Sequence, residues 1–198
     1  MKKLLSLVLV LCMVLCAVPA SAVTLGAPFT FDTTTFQLYF NTFYTSTGYG
    51  SDTPVWTNGS DLITVTGDAL LPVQIHLTNG KVAYFTTSME GDLNSLQNAA
   101  TQLGVTLPLI AMSSLMAETG DASALQSKAA TFNDDFTQLL SCMLNASDLN
   151  QTQMEEGVTS SANIFGYPAI LGYRVDFSNA SAPMVYLTFM MGPVGTTY

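Results

Sequence analysis

"LLPVQIHLTNGKVAYFTTSM", residues 70–89, is the stretch on which the fold turns. Its Asn79-Gly80 pair stands between two alternating runs, the strongest short-range hairpin signal, because both central positions of a type I′ turn need positive φ. Alternation places Val73, Ile75 and Leu77 on one face with Val82 and Tyr84, and Gln74 and His76 on the other with Ala83 and Phe85. Further along, "AILGYRVDFSNASAPMVYLTFMM", residues 169–191, reads as the same hairpin with a longer loop. Leu171, Tyr173, Val175 and Phe177 take the inward places, Arg174 and Asp176 the outward ones, and residues 184–191 return.

A helix of similar pattern precedes each hairpin. "TFQLYFNTF", residues 35–43, carries Phe36, Phe40 and Phe43 as one stripe, and "TFNDDFTQLL", residues 131–140, carries Phe132, Phe136 and Leu139. Between helix and hairpin, "DLITVTG" (61–67) alternates as a further strand, with "TSSANIFGY" (159–167) as its counterpart. The expectation is an α+β protein of tandem helix-strand-strand-strand repeats, about residues 30–90 and 121–198, whose antiparallel sheet or sheets pack against helices. The joining segment, about 92–119, reads as two helices. Asp92 caps the first, which Gly104 ends; Pro108 opens the second, which Gly120 stops, and Asp121 caps the long helix that follows. In element order alone this is similar to secreted inhibitor proteins that bind enzymes such as β-lactamases; the similarity implies a binding role, and the paired cysteines of such proteins are missing here.

The N-terminus reads "MKKLLSLVLVLCMVLCAVPASA": two lysines, an apolar run and a small-residue Ala20-Ser21-Ala22 site, the pattern of a signal peptide over residues 1–22. The run is shorter than the roughly 18 residues a spanning helix needs, so no stable membrane insertion is expected after cleavage. Lipidation at Cys16 is disfavoured because Leu15, not a small residue, precedes it. The mature chain, residues 23–198, is expected to be a single domain with only Cys142, so no internal disulfide can form. A secreted, disulfide-free domain points to a bacterial exterior or cell surface, and the four Asn-x-Ser/Thr triplets, at Asn58, Asn145, Asn150 and Asn179, are then chance occurrences in a Ser/Thr/Asn-rich chain.

The full chain has a formal charge of −9; without Lys2 and Lys3, three basic residues face fourteen acidic ones, giving −11. That field repels phosphate backbones and anionic lipid, which excludes nucleic acid as a partner.

Few residues offer chemistry. His76 is the single histidine, and no Cys-x-x-Cys or His-Glu-x-x-His spacing exists, so neither cofactor nor metal is expected. Cys142 lies on the flank of an apolar stripe and reads as a small hydrophobe. Asp134-Asp135 and Glu155-Glu156 are adjacent in sequence and therefore diverge in direction, which does not make a two-carboxylate hydrolase site. The calcium-ligand-rich stretch 145–156 lacks the glycine and alternation of an EF-hand loop, and the methionines fit core filler better than copper ligands.

One surface candidate stands out. "FYTSTGYGSDTPVWTNGS", residues 43–60, sets Tyr44, Tyr49 and Trp56 among small polar residues, the composition that protein or glycan recognition uses. The functional expectation is a non-enzymatic secreted binding protein of the cell envelope, with an extracellular or envelope protein or glycan as partner. The alternative is a secreted hydrolase of cell-wall or polysaccharide material.

Overall fold

The computed structural model describes residues 23–48, 52–92, 95–179 and 181–198; the signal-peptide reading, residues 1–22, and Tyr49 lie outside them. Helix α1 is Thr33–Thr47 and is followed by strands β1 (Val55–Asn58), β2 (Leu62–Thr66), β3 (Val73–Thr78) and β4 (Lys81–Asp92). Helices α2 (Ser95–Thr119), α3 (Ala122–Leu139), α4 (Ser141–Leu144) and α5 (Gln151–Glu156) come next, then strands β5 (Val158–Ile164), β6 (Tyr167–Asp176) and β7 (Met184–Met191). All seven strands form one antiparallel sheet in the order β1-β2-β3-β4-β7-β6-β5. The meanders β2-β3-β4 and β5-β6-β7 therefore meet along a single seam, β4 against β7, running from Phe85↔Met191 to Asp92↔Met184.

Local chemistry explains most boundaries. The turn between β3 and β4 is the two-residue Asn79-Gly80, with φ of 53° and 75°, as a type I′ turn requires. Asp32 caps α1 by accepting from the Thr35 N–H at 2.7 Å, and Gly48 ends it in the left-handed conformation. Asp121 caps α3 through the Ser123 N–H at 2.8 Å.

Four features depart from the sequence reading. The register of β3 and β4 shifts between His76, opposite Tyr84, and Leu77, opposite Val82, so Ala83 bulges out of the pairing. That extra residue reverses the parity: Phe85 faces inward with Ile75, while Tyr84 joins His76 on the outer face, opposite to simple alternation. The segment between the two halves is one 25-residue helix, not two, with Gly104 and Pro108 inside it. Pro108 cannot donate to the Gly104 carbonyl four residues back. The helix continues because Leu103, Leu107, Leu109 and Ile110 are buried, and their burial offsets the lost bond. Strand β1 forms inside what reads as a loop, and α1 runs four residues beyond Phe43.

The helices lie against one sheet face. Phe36, Phe40 and Tyr44 of α1, each 0 % exposed, pack with Phe29, Phe31 and the inward Phe85. Residues Asn98–Thr119 of α2 are long and apolar enough to cross a membrane, yet 67 % of that window is buried in the protein, the pattern of a core helix. Among the described residues two buried hydroxyls, Thr87 Oγ1 and Ser113 Oγ, lack a hydrogen-bond partner, a cost of about 1–3 kcal/mol each unless a water reaches them. The other sheet face carries no helix among the described residues. Its Met184, Met190, Ile170, Tyr84 and Tyr186 are half-exposed and take no part in the core.

Candidate functional site

The uncovered face is built by the outward half of each strand's alternation. One row crosses the sheet as Thr64, Gln74, Thr86, Met190, Ile170 and Ser161. Thr86 Oγ1 donates to Gln74 Oε1 at 3.2 Å and lies 2.9 Å from His76 Nε2. The His76 ring stacks on Tyr84 with centroids 4.1 Å apart. Because burial disfavours the imidazolium, the His76 pKa is pushed below its ordinary value. The sign follows: between the folded and unfolded values the unfolded chain binds more protons, so stability falls as pH drops below about 6.5. His76→Gln is expected to flatten that part of a urea-denaturation pH series; an unchanged slope would assign it to other groups.

Next along the strands come Gly172, Thr188 and Ser88, and then Arg174, Tyr186 and Glu90. Arg174, the single arginine, holds its guanidinium 4.5 Å from the centroid of the Tyr186 ring. It helps line a crevice of about 50 Å³, together with Thr159, Ile170, Gly172, Tyr186, Thr188 and Met190 among others. Gly172 has no positive φ, and an added Cβ would meet only Thr188 O at 3.8 Å and Thr159 Cγ2 at 3.9 Å, ordinary contact distances. Neither backbone nor packing needs glycine there, although glycine inside a strand is unfavourable. Gly172→Val is therefore expected to stabilise the chain by about 0.5–1 kcal/mol in chemical denaturation; a loss of stability would mean that the space is less open than these distances show.

The residues singled out in the sequence fall elsewhere. Tyr44 is fully buried and donates its hydroxyl to Asp52 at 2.8 Å, so its ring is core and not an exposed recognition surface. The reason is the length of α1: continued past Phe43, the Phe36/Phe40 spacing brings Tyr44 onto the same stripe. Trp56 stands on edge strand β1, half-buried against Phe36 and Phe40, with Nε1 donating to Asn41 Oδ1 at 3.0 Å. Trp56→Ala is expected to lower stability by about 2–4 kcal/mol, read in urea unfolding; a loss of binding with stability unchanged would instead make it a contact residue.

Cys142 is buried, its Sγ 3.6 Å from the Leu171 carbonyl, and burial pushes the thiol pKa up, away from the reactive thiolate. On the helix side an open depression of about 450 Å³ carries one carboxylate, Asp134. Among the described residues no group of three or more His, Cys, Asp or Glu side chains is placed to hold a metal ion. The sequence reading missed the Gly172–Arg174 crevice; its signal was a glycine and the lone arginine at outward places of one alternating strand. No family model, curated protein or solved structure matches the chain at a significant level.

Proposed function

We propose that the chain is an exported, non-enzymatic binding protein of a bacterial cell envelope, and that the uncovered sheet face is its working surface. The observation that supports this is the contrast between the two faces. Helices bury one against Phe, Leu and Val, while the other leaves Ile170, Met184, Met190, Tyr84 and Tyr186 half-exposed among hydroxyls and amides. A shallow surface of mixed aromatic and small polar groups suits adhesion to an envelope protein or glycan. The hydrolase alternative has less support, since neither of the two depressions described brings a pair of carboxylates together. We also read the helix-plus-meander units as copies of one ancestral unit, an inference resting on their shared element order and the hairpin patterns that meet at the β4–β7 seam.

Retention on isolated envelope fraction tests the reading. Mature wild-type chain is expected to sediment with the envelope, Met190→Arg to stay in solution with its circular dichroism unchanged, and Leu144→Arg, on the helix side, to sediment as wild type. Equal retention of all three would reject the sheet face. Release of reducing ends from cell-wall polysaccharide by the wild type would favour the hydrolase.

A further inference from the structure

The crevice beside Arg174 is a specific place on that face. Gly172 sits mid-strand between Thr159 of β5 and Thr188 of β7, where neither φ nor a steric contact calls for glycine. Its effect is to leave an apolar notch of about 50 Å³ in the sheet surface, room for a few carbon atoms. The Arg174 guanidinium lies at the notch, against the Tyr186 ring, and the charge of Asp176, two places along β6, is coupled to it. An arginine fork held by an aromatic ring is suited to a carboxylate taken through two parallel hydrogen bonds.

The surroundings narrow the ligand. Asp176 follows two places along β6, and Glu90 lies beyond Tyr186 in the same row. These acids, in a chain of −9 overall, oppose anions and a dianion such as a phosphate monoester most, so a carboxylate taken by Arg174 must be carried on a neutral or basic body. The notch is too short for a fatty-acid chain. Thr159 and Thr188 line it, so a peptide end laid on the notch lies beside two hydroxyl-bearing side chains.

We propose that the Gly172–Arg174 crevice binds the carboxyl-terminal end of a peptide, with the terminal carboxylate on the Arg174 guanidinium and a small aliphatic last side chain in the space left by Gly172. Basic residues upstream in that peptide would meet Glu90 and Asp176. The proposal rests on the sheet face being the binding surface and names what one part of it takes.

The test is titration of the mature chain with N-acetyl-Ala-Val, with its carboxamide and with butyrate, followed by amide chemical shifts and calorimetry. The free acid is expected to move the amides of Thr159, Gly172 and Thr188 and to bind about tenfold to a hundredfold more tightly than the carboxamide. Arg174→Met is expected to lose that discrimination and Arg174→Lys to keep part of it. Gly172→Val, whose Cβ meets nothing nearer than 3.8 Å, is expected to lose binding while folded. Absence of shifts with the acid, or equal affinity for acid and carboxamide, overturns the proposal. Butyrate binding as tightly as the peptide overturns it too, in favour of a short carboxylic acid. If the peptide fails while Met190→Arg still loses envelope retention, this inference alone falls; if no face variant alters retention, the reading of the face falls.

Discussion

Thr188→Pro is expected to prevent folding of the entire chain, not of its second half alone. Thr188 is at the centre of β7, with Gly172 of β6 on one side and Ser88 of β4 on the other, so its N–H has a ladder partner whichever neighbour it faces. Proline removes that donor and fixes φ, at about 3 kcal/mol or more, a large part of the roughly 5–15 kcal/mol that holds a domain together. The damage spreads because the inward residues of β7, Val185, Leu187, Phe189 and Met191, are each at most 2 % exposed and lie in the core that both meanders share. Thermal melting by circular dichroism checks this. A surviving cooperative transition would show that the first half folds without the second.

Phe85→Ala is expected to lower stability by about 3–5 kcal/mol, the range for removing a fully buried aromatic ring. At about 2–4 °C per kcal/mol for a chain of this size, the melting temperature drops by roughly 10 °C. Phe85 is 0 % exposed, with ring centroids 4.9 Å from Phe36 and 5.4 Å from Phe29, so its loss leaves a cavity that α1, β4 and the N-terminal segment line together. Tyr84→Ala, one place along and on the outer face, is expected to cost much less. A larger loss at Tyr84 than at Phe85 would place Ala83 within regular pairing and restore simple alternation.

That pair of substitutions also marks where the sequence stops being legible. The Asn79-Gly80 turn, the Asp121 cap and the bounds of β7 could be read because each depends on a few neighbouring residues. The bulge at Ala83 could not, since it depends on which β4 residue meets His76 across the strands. Pro108 inside α2 has the same character: local chemistry signals a helix start, and burial of the surrounding leucines and Ile110 overrides it. For the candidate site, Tyr44 and Trp56 were legible as aromatics but not as core and core edge, because four more residues of α1 and an unforeseen β1 decide where they lie. The Arg174 crevice needed the order β7-β6-β5, which brings Thr188 and Thr159 to either side of Gly172.

Oxidative footprinting with hydroxyl radicals, with and without isolated envelope fraction, tests most directly whether the bare sheet face is the working surface. Met184, Met190, Tyr84 and Tyr186, half-exposed on that face, are expected to become protected, while Leu38 and Leu144, exposed on α1 and α4, keep their reactivity. Protection of Leu38 and Leu144 with Met190 and Tyr186 unchanged would contradict the account and move the binding surface to the helices.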